Sequence, residues 1–205
     1  MIDRDNITGL ILAGGRGMRM GQVNKGLQEL QGKTMVDHVI TRLKPQVGHL
    51  IINANQDLDR YRQFALAVFS DRIADYAGPL AGLECGLQHC QTKYLLSAPC
   101  DSPFLPIDLA DRLATAMSEE GTQIAIPYTE ELEQGQLVKQ LQPVFCLVER
   151  DLHQHLRTFL EQGGRKISDW LDQLRVSEVL FEDHQEFRNI NTRAELAACT
   201  PAATS

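Results

Sequence analysis

The sequence predicts an α/β fold, with a mostly parallel central sheet flanked by helices, and three observations carry that expectation. Apolar runs are short and rich in Ile, Leu and Val, the segments between them have helical spacing, and capping residues mark the changeovers. Residues 7–13 are nearly continuous apolar residues running into glycines, as expected of a central parallel strand buried on both faces. Residues 34–43 then read as a helix, 49–54 as a second strand, 57–66 as an amphipathic helix, and 67–69 as a short strand delivering Ser70 and Asp71 to its end. A glycine-rich entry opens a helix over 78–91. Residues 93–98 form another buried strand stopped by Pro99, and Pro106 at a first helical turn opens a helix over 106–117.

In the second half, residues 123–127 and 141–148 read as strands, and the polar stretch 129–135 suggests a hairpin-like excursion between them. Helical spacing over 149–162 and 166–174 is interrupted by Gly163 and Gly164, which suit a C-terminal cap of the first helix. Residues 176–181 read as a late strand. Thr192 followed by Glu195 makes a capping box, so a final helix is expected over 192–199, starting just after Asn189, Ile190 and Asn191. There is no internal repeat. The expectation is one domain over 1–199 with a flexible tail, 200–205.

A chain of 205 residues, 43% of them hydrophobic, can bury one substantial core without disulfides or metal. Twenty Lys and Arg against 27 Asp and Glu give a formal charge of −7, which argues against nucleic acid or an anionic membrane as the main partner. No apolar run approaches the roughly 18 to 20 residues of a membrane span, and the polar start lacks a signal-peptide pattern, so a cytoplasmic protein is expected. Cys85, Cys90, Cys100, Cys146 and Cys199 are odd in number and form no C-x-x-C pair, so neither a disulfide framework nor a zinc site is indicated.

An open α/β sheet binds ligands outside the carboxyl ends of its strands. Those ends supply residues 14–21, Asn53 and Asn55, Ser70 and Asp71, and Cys100, Asp101 and Ser102. The loop LAGGRGMRMG, beginning at Leu12, lets backbone N–H groups approach anionic oxygens without Cβ interference, and phosphate is its natural ligand. It is not a dinucleotide fingerprint, because Met20 stands where the third glycine belongs. It is not a Walker loop, because Lys25 lies between Asn24 and Gly26. Residues 6–28 contain no acidic group but do contain Arg16, Arg19 and Lys25, a local charge of +3 on an acidic chain. The plainer alternative is a glycine-rich turn with solvated basic residues, which the clustering of positive charge weighs against.

Asp101, between Pro99 and Pro103 at the end of a buried strand, is a fixed carboxylate that suits Mg²⁺, an ion held through one or two carboxylates plus substrate phosphate oxygens. Asp71 is either a second such carboxylate, a nucleotide contact, or a turn cap. His153 and His155 are two apart and face different sides of a helix, the other histidines are dispersed, and no metal cluster is indicated. Cys100 reads as structural, since the adjacent Asp101 raises its pKa. Trp170 and the other aromatics stand singly on amphipathic segments, so no base-stacking platform is expected.

Together, LAGGRGMRMG with Lys25 downstream, NAN at Asn53, Ala54 and Asn55, Asp71, GPLAGL from Gly78, PCDSPFLP from Pro99 and the Asn189-Ile190-Asn191-Thr192 segment resemble the molybdenum cofactor guanylyltransferase (MobA) family over the whole chain. Asn24 departs from the Asp more usual before the loop lysine, and Met18 from a smaller residue. The resemblance implies a Rossmann-like nucleotidyltransferase fold, its N-terminal half binding the nucleotide and its C-terminal half the acceptor. It implies transfer of GMP from GTP to the terminal phosphate of molybdopterin or Mo-molybdopterin, with Mg²⁺ and release of pyrophosphate.

The family's GTP contacts fall on Leu12, Ala13 and Gly14, with Lys25, Asn53, Asp71 and Asp101. Gly15 joins them in the loop, and Asp101 is the magnesium ligand. Catalytic roles then fall to Lys25, Asp101 and, on the leaving side, Arg19. Candidate acceptor contacts are Arg16, Arg165 and Lys166, which are basic residues beside glycines or next to one that is, together with Asn189 and Asn191. Expected partners are GTP, the pterin, and transient contacts with cofactor-assembly proteins and molybdoenzyme chaperones around a monomer. A cytidylyltransferase of the same cofactor, a sugar-phosphate nucleotidyltransferase and a nucleotide-binding adaptor remain as alternatives, because nothing in the sequence shows what reads the base.

Overall fold

The computed structural model describes residues 2–14, 24–72, 78–133, 135–192 and 195–196. Gly15, Arg16, Arg19, Cys199, most of the final helix and the 200–205 tail lie outside them. The strands are β1 (Ile7–Leu12), β2 (Glu29–Leu30), β3 (Lys33–Thr34), β4 (His49–Asn53), β5 (Ala67–Phe69), β6 (Tyr94–Pro99), β7 (Ile124–Glu133), β8 (Gln136–Leu141), β9 (Leu147–Glu149) and β10 (Val176–Leu180). The helices are α1 (Met35–Leu43), α2 (Leu58–Arg62), α3 (Pro79–His89), α4 (Leu109–Glu120), α5 (His153–Glu161) and α6 (Ile167–Leu171).

Among the described residues the main sheet runs β10-β7-β9-β6-β1-β4-β5, with β8 paired to β7 beside that row and β2-β3 a separate small pair. β6, β1, β4 and β5 are mutually parallel, and so are β7 and β10. Only β9, which joins the two parallel sets, and β8 run antiparallel to their neighbours in this sheet.

β1 is apolar on both faces because each face carries a helical layer. Ile7 and Ile11 pack with Val36, Val39 and Leu43 of α1 and Leu109, Leu113 and Met117 of α4. Leu10 packs on the other side with Leu80, Leu83 and Leu87 of α3 and Leu156 and Leu160 of α5. α3 lies unusually close: a Cβ on Gly86 would stand 2.4 Å from Leu10 Cδ2, and one on Gly82 would stand 2.6 Å from Leu12 Cδ2. α1 starts where Thr34 accepts from the Asp37 amide, and α5 ends at Gly163, whose φ of +90° only glycine adopts readily. No helix among the described residues is long and apolar enough to cross a membrane.

The structure redraws several elements. Pro106 does not open α4, which starts at Leu109. Gln46 takes that role, donating to the Pro106 carbonyl at 2.9 Å and accepting from the Ala110 amide at 3.0 Å, so a tertiary contact sets the helix start. The strand expected over 141–148 is two strands, because Pro143 lacks a ladder donor and a turn intervenes, with the Phe145 amide on the Gln142 carbonyl at 2.9 Å. The polar 129–135 stretch belongs to a long β7-β8 ribbon turning at Gly135, and the helix expected over 57–66 shortens to α2.

Trp170 is fully buried in the α3 and α5 layer, its indole N–H donating to His155 Nδ1 at 3.1 Å. His153 turns elsewhere, with Nε2 2.9 Å from Glu84 Oε1 on α3. Trp170→Ala empties a large core position and is expected to cost about 3–5 kcal/mol, read as a lowered urea midpoint with an unchanged m-value.

Candidate active site

Four parallel strands end level with one another. Leu12 stands opposite both Pro99 and Asn53, and Asn53 stands opposite Phe69. Pairing continues one step past these ends, with the Ala13 amide on the Asn53 carbonyl at 2.8 Å, Cys100 on Leu12 at 3.0 Å and Ala54 on Phe69 at 2.9 Å. The next residues of each strand therefore emerge side by side: Gly14, Asn55, Asp71 and Asp101.

Asp71 is clasped by two amides. Asn53 donates to Oδ1 at 2.7 Å and Asn55 to Oδ2 at 2.8 Å, while the Asp71 amide returns a bond to Asn55 Oδ1 at 2.9 Å. Asn55 also donates to the Gly14 carbonyl at 3.3 Å, so the clasp extends to the first glycine of the loop. A Cβ on Gly14 would lie 2.9 Å from Asn55 Nδ2 and 3.0 Å from Asn53 Oδ1, so the backbone approaches this closely only as glycine. The clasp needs Asn55 as much as Asn53. The one sequence signal for it is the i, i+2 spacing of NAN, which puts both side chains on one side of an extended segment.

The second cluster joins distant parts of the chain. Lys25 Nζ lies 3.3 Å from Asp101 Oδ2 and donates to Asn191 Oδ1 at 2.5 Å. The Ile190 amide donates to the Asp101 carbonyl at 2.9 Å, and Ser102 Oγ donates to Asn189 Oδ1. The segment 189–192 thus straps the loop after β6. Its own end is fixed by the capping box, with the Glu195 amide on Thr192 Oγ1 at 3.1 Å and Glu195 Oε2 accepting from the Thr192 amide at 3.2 Å and the Asn191 amide at 2.6 Å.

Only 14% of the Asp101 side chain is exposed. Burial raises its pKa above the ordinary carboxylate value, and the nearby Lys25 charge offsets this only in part. Burial, with the Asp101 charge adding to it, pushes the Cys100 thiol up to about 12, so Cys100 is an inert thiol lining the site floor.

The basic candidates divide. Lys25 is in the cluster, whereas Arg16 and Arg19 lie outside the described residues. Arg165 caps the end of α5, donating to the Leu160 carbonyl at 2.9 Å and the Gly164 carbonyl at 2.7 Å, and Lys166 precedes α6. The hydrogen bonds of Arg165 go to the end of α5 itself, and among the described residues none joins it to the Lys25–Asp101 cluster.

Residues 9–177 match the model of the MobA-like NTP transferase domain. The chain belongs to this family. Over 197 residues it is 55% identical to a protein of Ralstonia nicotianae named molybdenum cofactor guanylyltransferase, covering 96% of this chain and 97% of that one. The fold is shared with the crystal structure of molybdopterin-guanine dinucleotide biosynthesis protein A from Archaeoglobus fulgidus, at a TM-score of 0.72 and 20% identity, covering 94% and 96% of the two chains. It is also shared with 4-diphosphocytidyl-2C-methyl-D-erythritolsynthase from Anaerococcus prevotii, at a TM-score of 0.71 and 13% identity, covering 96% and 97%. The fold thus spans proteins named for guanine and cytidine products.

In this MobA-like chain the GPLAGL motif sets how closely α3 approaches the clasp. A Cβ at Gly82 would lie 2.6 Å from both Asn53 Oδ1 and Leu12 Cδ2. Gly82→Ala is therefore expected to push Asn53 off Asp71 and to cost about 1–3 kcal/mol of stability as an overpacked position, read as a lowered urea midpoint.

Proposed function

We infer that the chain transfers GMP from GTP to the terminal phosphate of molybdopterin or Mo-molybdopterin, forming the guanine dinucleotide and releasing pyrophosphate. The observation that carries this reading is the Lys25-Asp101-Asn191 cluster at the level strand ends, in a chain more than half identical to a named guanylyltransferase.

GTP lies against the backbone of Leu12, Ala13, Gly14 and Gly15, with Asn53 and Asp71 contacting the nucleoside side and Lys25 the phosphates. Arg19 supports the leaving pyrophosphate. A phosphate monoester has its second pKa near about 6, so the acceptor is already largely a dianion at neutral pH and needs no general base. What remains is to hold two anions together and to neutralise charge as it develops, which backbone N–H groups and Lys25 do. Asn189, Asn191, Arg165, Lys166 and Arg16 form the acceptor side, so the C-terminal half presents the pterin to a nucleotide held by the N-terminal half.

The Asp101 site fits Mg²⁺. Its carboxylate is a hard oxygen donor at a strand end with one cation, Lys25, 3.3 Å away, and it would hold the ion together with phosphate oxygens of the substrate and water. Bound there, Mg²⁺ supplies charge stabilisation at the α-phosphoryl group and the leaving pyrophosphate. We place the protein in the cytoplasm as a monomer, with transient contacts to the proteins that supply and receive the cofactor.

The test is pyrophosphate release with Mg²⁺ and molybdopterin, comparing GTP, CTP and ATP. Release with GTP alone is expected. A CTP preference would replace the product while keeping the fold, and tight GTP binding without release would point to an adaptor. Lys25→Ala and Asp101→Ala are each expected to lose roughly 10² or more in rate, comparable to removing a preorganised electrostatic contact. Near-normal turnover in either variant would withdraw that residue's role.

A further inference from the structure

Lys25 and Asp101 rest on a polar tie that no strand-end motif includes. Tyr61, the penultimate residue of α2, is fully buried, and its hydroxyl donates to Asn24 Oδ1 at 2.7 Å. The amide nitrogen of Asn24 donates to Asp57 Oδ2 at 3.1 Å, on the residue that precedes α2. The Asn24 carbonyl receives the Leu27 amide at 3.2 Å, which closes the turn that carries Lys25.

On the other side of Lys25, a Cβ at Gly26 would lie 2.8 Å from the Tyr61 hydroxyl oxygen and 2.9 Å from Cys100 Sγ. Both chain neighbours of Lys25 therefore rest on Tyr61, and Gly26 also rests on Cys100, the neighbour of Asp101. One buried phenol stands where the loop that carries the cation meets the loop that carries the carboxylate.

Residue 24 needs an amide for this. Its oxygen accepts from the phenol while its nitrogen donates to Asp57, and a carboxylate could do only the first. With Asp at 24, two carboxylates would face each other across the 3.1 Å contact, the like-charge arrangement that disfavours ionisation of both.

The geometry points to Tyr61, Asn24 and Asp57 as positioning residues that set the separation of Lys25 from Asp101 through the backbone of residues 24–26. The inference rests on the reading that Lys25 and Asp101 serve the transfer. Displacement of a charged group by about 1 Å costs up to roughly 10² in rate, so a loosened tie acts on turnover. Asp57 has φ +52°, a conformation that Asn tolerates as readily as Asp, so donor and acceptor can be exchanged across the tie without new strain.

The experiment measures kcat for pyrophosphate release from GTP, Mg²⁺ and molybdopterin by the full chain, alongside the thermal midpoint of each variant. Asn24→Asp is expected to lower kcat about tenfold. Adding Asp57→Asn to it restores a donor facing a carboxylate and is expected to return kcat to within about twofold of the parent. Tyr61→Phe keeps the ring in place and is expected to lower kcat about fivefold. The tie is overturned if Asn24→Asp turns over like the parent, or if the exchanged double variant is no faster than Asn24→Asp, while Lys25→Ala is inactive. A near-normal Lys25→Ala overturns instead the reading of Lys25 itself, so the two failures are distinguishable.

Discussion

A carboxylate held largely out of water at the end of a central strand is the constraint around which the rest of the site is arranged. Asp101 follows β6, buried beside the inert thiol of Cys100, and its main compensation among the described residues is the Lys25 ammonium at 3.3 Å. Partly buried ion pairs gain little net stability, since desolvation offsets the Coulomb attraction. The raised pKa gives the sign. The folded state holds the Asp101 proton more tightly than the unfolded chain does, so this group favours folding at low pH. That contribution is lost as pH rises through its raised pKa. Once ionised, the carboxylate is therefore a local cost to stability, the kind of strain that functional sites retain.

That cost is tolerable only if the flanking loops are held rigidly, and close packing of glycines does this. Gly14 brings the loop backbone against Asn53 and Asn55, Gly26 brings Lys25's turn against Tyr61 and Cys100, and Gly82 brings α3 down onto Asn53. In each case the missing Cβ lets a backbone approach a polar or buried group more closely than any other residue would allow. Level strand ends supply the directions and the glycines supply the proximity. The strap of residues 189–192 then closes the arrangement from the far end of the chain, which joins the site's integrity to folding of the C-terminal segment.

Much of this was legible in the sequence. β1, β4 and β6 follow from apolar runs that end in polar, glycine or proline residues, because strands buried on both faces leave a continuous hydrophobic trace. The Thr192–Glu195 capping box was readable because it is a local contact of fixed spacing. The helix start at Leu109 was not, since a side chain from residue 46 decides it, and the β8 to β9 break turned on what Pro143 denies the ladder. In the site, Asp101 and Lys25 stood out by charge and position. Tyr61 did not: a Tyr on an amphipathic helix looks the same whether it serves a site or merely packs, and only the fold brings Tyr61 to Asn24.

The choice of amides around these carboxylates has an electrostatic reason. Asn24 donates to Asp57, Asn53 and Asn55 donate to Asp71, and Asn189 and Asn191 accept from Ser102 and Lys25. Each is a neutral group that satisfies or orients a polar neighbour without adding charge. The chain carries −7 overall, and the proposed reaction brings two phosphate-bearing substrates to this edge. Every further carboxylate here would repel them through a low-dielectric gap, where like charges are costly. Building the second layer from asparagine adds no charge beside Asp101, so the Lys25 ammonium, 3.3 Å away, is the charged group paired with it among the described residues.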